Sequence, residues 1–235
     1  MEGPTVMTMI TDHLFFLLQL AGGTFPTGGF SQSWGLETFV TDGRVAGASD
    51  CRKFIAGYLD AVVGSCEGPI LREAVGYAAN WDAAALAELE ELSLAMKLSK
   101  ESRDSALKSG KALMRIASEI IEDSELPGFY GGYSRSGITN AVAFGTICGR
   151  SGICPERALE AYVFSVVNGI VQSAVKLIPL GNTEAQRMLL EVRPDMAGCV
   201  RKSSTLAVSD ISNFSPGFDL ASILHETLPM RLYMS

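Results

Sequence analysis

Apolar residues recur along this chain at the three-and-four spacing of an α-helix, and no convincing run alternates with the period of two that a half-buried strand needs. That restricts the fold more than any other feature. Cys51, Phe54, Ile55, Tyr58, Leu59, Val62 and Val63 share one helix face behind an N-cap expected at Ser49. Pro69 stands where a first-turn proline belongs, so a new helix is expected there, carrying Ile70, Leu71, Ala74, Val75 and Ala78. Leu86, Leu89, Leu92 and Met96 form a third stripe, and Ala106 to Ile121 a longer fourth. Ile138 to Cys148 reads as a short apolar helix. Pro155 opens a long one that Pro179 and Gly181 close near Ile178. Thr183 with Gln186 has capping-box spacing, Pro194 should kink or divide the helix that follows, and Asp219 is placed to cap a last short helix. The expectation is an all-α, single-domain helical bundle over 1–235, with 209–235 a C-terminal loop, short helix and tail.

Two segments interrupt the pattern. One is the glycine-rich stretch from Gly22 to Ser31; the other runs from Pro127 to Gly137. Both read as long loops between helices, which are either functional or plain connectors.

Composition narrows the function. Apolar residues make up 47% and charged residues 19% of the chain, the balance of a packed core and not of a disordered one. A net charge of −7 argues against nucleic acid or an anionic membrane as the main partner, since both repel an acidic surface. Five cysteines, none in a C-x-x-C pair, fit reduced thiols in a cytoplasmic protein better than a disulfide framework. No basic leader precedes the first apolar stretch, which Asp12 and His13 interrupt. Ala161 to Leu180 carries Asn168, Gln172 and Lys176, so a buried core helix explains it better than a membrane span.

Reacting groups are scarce. Gly22 to Ser31 looks like a phosphate loop but lacks the G-K-[ST] ending and follows a helix. Gly29-Phe30-Ser31-Gln32-Ser33 misses the nucleophile elbow, because serine stands where the last glycine should be. Only His13 and His225 are available as bases. His13 lies in an apolar helix and reads as a core or interface residue. His225-Glu226 lacks the second histidine of H-E-x-x-H, since Pro229 stands there. No catalytic residue, cofactor or metal site is expected.

Three blocks together resemble the urease accessory protein UreF family. Leu17-Leu18-Gln19-Leu20 runs into Phe25-Pro26-Thr27-Gly28-Gly29-Phe30-Ser31 and then Gly35-Leu36-Glu37. Val171 to Gly181 is similar to the family's most recognisable helix end. Asp219-Leu220-Ala221-Ser222 through His225-Glu226 to Arg231-Leu232-Tyr233-Met234-Ser235 is similar to its C-terminal tail. The chain departs from the family pattern at Gln32 and near Thr139, where a histidine is common, and that puts metal handling or proton transfer there in doubt.

The resemblance implies an all-α scaffold without chemistry of its own, acting in urease maturation and nickel insertion. It implies a homodimer that bridges UreD (also called UreH) and the GTPase UreG on the way to apo-urease. The residues it points to as partner-binding are Gly28, Gly29, Phe30, Ser31, Glu37, Lys176, His225, Glu226, Arg231, Leu232, Tyr233 and Met234. Lys176 can equally be a cation at a helix C-terminus, and Glu37 a helix-start carboxylate. The Gly28-Gly29 pair suits a backbone turn that pins Phe30 and Ser31 at a surface. Two rival readings stand beside the scaffold: a small hydrolase using His225 and a loop serine such as Ser31, and a direct regulator of the GTPase. Residues from about Ser209 to Ser235, loop-forming at first and apolar at the end, are expected to be mobile in the free protein and ordered when UreD or its equivalent binds.

Overall fold

A computed structural model describes residues 6–27, 32–228 and 231–233, with the side chains of the first helix from Asp12 onward. Among the described residues there is no strand, and the all-α expectation holds. Helices α1 (Val6–Ala21) and α2 (Leu36–Thr41) lead into α3 (Ala48–Tyr58), a π-helical segment (Leu59–Glu67) and α4 (Gly68–Ala79). Then follow α5 (Ala83–Ala95), α6 (Lys100–Ile120), α7 (Leu126–Tyr133) and α8 (Asn140–Arg150). The chain continues with α9 (Pro155–Leu177), α10 (Asn182–Glu191), α11 (Arg193–Thr205), a 3-10 turn (Val208–Asp210) and α12 (Pro216–His225).

Two long elements organise the core. One is α9, which packs against α1, α2, α3, α4, α8, α10 and α11. Its buried face includes Leu159, Tyr162, Val163, Val166, Val167, Ile170 and Val171. The other is the unbroken 32-residue rod Ala48–Ala79. Both are long and apolar enough to cross a membrane by length and composition, yet most of each apolar window is buried inside the protein.

The tightest crossing is between α4 and α8, and sequence explains it. Gly145 and Gly149, four apart on α8, face Ala74 and Ala78 on α4. A Cβ on Gly149 would stand 2.3 Å from the Val75 carbonyl oxygen and one on Gly145 2.6 Å from that of Leu71. Only a residue without a side chain lets the two backbones approach this closely.

Several sequence expectations need correction. The helices expected over 51–63 and from Pro69 are one rod, starting at Ala48 behind Gly47 and not at a Ser49 cap. A nine-residue π segment joins them. Pro69 has no N–H to offer the Ser65 carbonyl, which accepts a hydrogen bond from the Ser212 N–H at 3.0 Å. The stretch from Pro127 to Gly137 is not a long loop, because most of it is helix α7. Asp123 Oδ1 accepts from the N–H groups of Glu125 and Leu126 at 2.8 and 3.0 Å, which starts the turn. Phe129 and Tyr133 then pack in line with Trp81. The Thr183–Gln186 capping box does not form; α10 starts behind Gly181 with no side-chain cap. Asp219 lies within the first turn of α12, not at its cap. Pro194 does divide two helices, α10 and α11, as its missing donor requires.

Candidate functional site

The turn before α2 positions the site. Trp34 adopts φ 53° and Gly35 φ 82°, two successive left-handed residues. For tryptophan this is strained backbone, held because its ring lies against Gly169 of α9, where a Cβ would meet the indole at 2.1 Å. The turn aims Glu37, in the first turn of α2, into the interior.

From the other end of the chain, α12 is fixed by an aromatic cluster. Phe218 packs on Phe39, Phe54 and Tyr58, with ring centroids 5.7, 5.3 and 5.3 Å away. Two hydrogen bonds complete the docking: Thr38 Oγ1 donates to the Ala221 carbonyl at 2.9 Å, and Ser99 and Ser222 share one at 2.7 Å. The outcome is a fully buried His225.

His225 is clamped between two carboxylates. Its Nε2 lies 2.9 Å from Glu37 Oε2 and its Nδ1 2.7 Å from Glu101 Oε2. Glu101 also accepts from Arg231 at 2.9 Å. Glu37 accepts two backbone donors of the tail, the Leu232 N–H at 2.7 Å and the Tyr233 N–H at 3.1 Å. The start of α2, the end of α12 and the tail thus meet at Glu37, and its carboxylate ties down the tail. Buried carboxylates survive when their lone pairs are all used, and here three donors converge on one group.

Tyr233 is buried, its hydroxyl has no partner, and Lys176 Nζ lies 5.9 Å from its ring centroid. Tyr233 also lines a partly open pocket of about 180 Å³, together with Gln32, Lys176, Glu67, Lys97 and Tyr162. Glu67 pairs with Lys97 at 2.5 Å and accepts from Tyr162 Oη at 3.0 Å. Burial works to lower the Lys97 ammonium, but the adjacent Glu67 carboxylate outweighs it and the group ends above its ordinary range. Burial alone drives up the Asp219 carboxyl, which lines the same pocket.

The structure brings together Glu37, His225, Arg231, Leu232, Tyr233 and Lys176 from the sequence-derived set. Glu37 and His225 are buried, and Glu37 bonds the tail directly. The Leu232 side chain is 73% exposed, and Glu226 is exposed at the end of α12. Gly28, Gly29, Phe30, Ser31 and Met234 lie outside the described residues. Within the segment expected to be mobile, residues 231–233 are hydrogen-bonded to Glu37 and Glu101 of the chain's own body.

The hydrolase alternative fails on the same geometry. A general base needs a free nitrogen within reach of substrate, whereas both nitrogens of the fully buried His225 ring are engaged. His13, half-buried in α1, faces Gly152. No group of three or more His, Cys, Asp or Glu among the described residues is arranged to hold a metal ion. Burial pushes the thiols of Cys51 and Cys199 up to about 12 and that of Cys66 up to about 11, away from the thiolate a metal needs.

Sequence reasoning missed Glu101, Glu67 and Lys97. Glu67 carried a readable signal, a lone carboxylate in the apolar run from Val62 to Leu71. Glu101 carried none, for it sits among the charges that open α6 as a solvated helix start would.

Fold and site define an all-α protein whose most elaborate buried polar centre holds its own C-terminal segment. Comparison with known proteins gives the family. A family model for UreF matches residues 45–193. Similar curated proteins include a urease accessory protein UreF of Paenarthrobacter aurescens (strain TC1), 30% identical over 97% of this chain and 100% of that one. The urease accessory protein UreF of Azoarcus sp. (strain BH72) is 31% identical over 94% of this chain and 95% of its own. That of Bacillus sp. (strain TB-90) is 29% identical over 95% and 100%. The chain belongs to the UreF family. Its relatives are named as accessory proteins and not as enzymes.

Proposed function

We propose that this chain is a non-catalytic scaffold of urease maturation, bridging UreD (UreH) and the GTPase UreG in the cytoplasm so that nickel reaches apo-urease. The observation that carries the reading is relatedness to UreF proteins along nearly the whole chain. The nickel is carried by a partner and not by this chain, and the chain acts as a homodimer.

The geometry supports a docking end at α12 and the tail. Leu220, Ile223 and Leu224 are exposed along one side of α12, with Phe214 just before it and Leu232 just after. Covering each such side chain stabilises a complex by roughly 1.5–3 kcal/mol before ordering costs are subtracted. Glu226 and Arg231 flank this apolar surface and supply the polar rim of an interface. Lys176, Gly28 to Ser31 and Met234 complete the proposed partner-binding set.

Co-expression with UreD and UreG, followed by size-exclusion chromatography with light scattering, tests the bridge. A complex of all three chains is expected, with two copies of this one, and no UreD–UreG complex when this chain is left out. UreD and UreG associating equally well without it would refute the bridging role.

A further inference from the structure

The pocket beside the tail mixes aromatic walls with polar groups that the chain leaves unpaired. Two edge-to-face ring pairs line it, Tyr58 with Phe218 at 5.3 Å and Phe144 with Tyr162 at 5.4 Å between centroids. Asn213 adds an acceptor without a donor. Its Nδ2 donates to the Met96 carbonyl at 2.8 Å, which fixes the orientation of the amide, and its buried Oδ1 has no partner among the described residues. A buried acceptor left bare costs free energy until something donates to it. Ser215 joins Asn213 to Asp219: its Oγ donates to the Asn213 carbonyl at 3.5 Å, and its own carbonyl accepts from the Asp219 N–H at 3.0 Å.

The charges on the lining are unevenly matched. Glu67 and Lys97 neutralise one another at 2.5 Å. Among the described residues Lys97 is the cation that acts on Asp219, so Asp219 shares an ammonium that Glu67 already holds, and burial raises its carboxyl. Lys176, the other cation on the lining, is exposed to solvent and lies 5.9 Å from the Tyr233 ring centroid. A half-buried carboxylate without a cation of its own, a bare amide oxygen and aromatic walls favour the same kind of guest, a positive group that donates hydrogen bonds. A metal ion fits less well, because no group of three or more His, Cys, Asp or Glu among the described residues is arranged to hold one.

We propose that this pocket binds a small organic ammonium ion, whose N–H groups bond Asn213 Oδ1 and the Asp219 carboxylate while the aromatic walls enclose an apolar body the size of a benzene ring. At about 180 Å³ the pocket has the room, since a cavity of roughly 150 Å³ takes up benzene. The site requires no urease partner, so it stands or falls apart from the scaffold reading.

Benzylammonium is the probe, with benzyl alcohol and benzoate as the same body carrying no charge or the opposite one. The chain has two tryptophans, of which Trp34 lines the pocket and Trp81 does not. Their indole N–H signals in NMR spectra of the full chain therefore report binding and its location together. Benzylammonium should shift the Trp34 signal saturably and leave that of Trp81 in place. Benzyl alcohol and benzoate should bind at least about tenfold more weakly, the loss expected for one charge-assisted hydrogen bond. Asp219→Asn, which keeps the shape and removes the charge, should weaken benzylammonium by at least about tenfold as well. Zinc ion should not displace the probe. An unmoved Trp34 signal overturns the proposal. So does equal binding of either control, an unchanged affinity in Asp219→Asn, or displacement of the probe by zinc. Should Asp219→Asn not fold, the comparison of benzylammonium with benzyl alcohol decides.

Discussion

Replacing Glu37 by Gln removes one charge and one acceptor oxygen from a carboxylate that has three hydrogen-bond partners. The carboxylate accepts from Leu232 at 2.7 Å, from Tyr233 at 3.1 Å and from the His225 ring at 2.9 Å. If the amide oxygen stays on Leu232, its NH₂ is turned toward the Tyr233 N–H and His225, a donor facing donors. Hydrogen bonds to a charged group contribute about 1.5–3 kcal/mol each, and breaking a buried charged pair costs about 3–5 kcal/mol. Some of that is recovered when the tail lifts and water enters, so a net loss of about 3 kcal/mol is expected. For a chain of this size about 2–4 °C accompany each kcal/mol, so the melting temperature should drop by about 6–12 °C. Calorimetry and urea unfolding at slightly acidic pH measure it, with Glu226→Gln on the exposed end of α12 as a control that should shift stability by less than about 0.5 kcal/mol. A Glu37→Gln change below about 1 kcal/mol would refute the reasoning, since it would mean the buried carboxylate holds nothing.

Three further outcomes follow from the same geometry. Gly149→Val places side-chain atoms against the Val75 carbonyl, where even a Cβ would stand at 2.3 Å, and should destabilise by more than about 3 kcal/mol or leave no soluble protein. Glu90 is buried and accepts from Thr139 N–H and Oγ1, and burial outweighs those bonds to push its carboxyl up to about 7. Its folded-state value lies above the unfolded one, so its contribution is full at low pH and disappears as pH rises through about 7. Urea unfolding should show about 3 kcal/mol more stability near pH 4 than near pH 8 from this group, a slope that Glu90→Gln removes. Deleting Arg231 to Ser235 removes two of the three partners of the Glu37 carboxylate and uncovers the site of Tyr233. The truncated chain should lose about 2 kcal/mol in thermal unfolding, because the ordering of a short tail offsets part of what its burial contributes.

Much of the helical body was legible in the sequence because the three-and-four spacing of apolar residues is a local signal. Pro155 opens α9 and Pro194 separates α10 from α11 for reasons contained in the residue itself. What escaped depends on partners far away in the chain. The first-turn reading of Pro69 was sound for α4, but nothing local announced a π segment joining it to the preceding helix. Glycine-rich 127–137 read as a loop because its helix is stabilised by Asp123 ahead of it and Trp81 beside it. The site divides in the same way. Glu37, His225 and Arg231 were singled out, but as surface contacts; that they bond one another's segments across 188 residues and more is a property of the folded chain.

The scaffold account is tested most directly in cells that express a urease operon whose own UreF has been deleted. Expressing this chain there with UreD and UreG should restore urease activity and the nickel content of purified urease together, while the purified chain itself retains no stoichiometric nickel. Urease that stays without nickel although this chain is folded and present with both partners would contradict the account, as would nickel insertion that proceeds to the same extent without it.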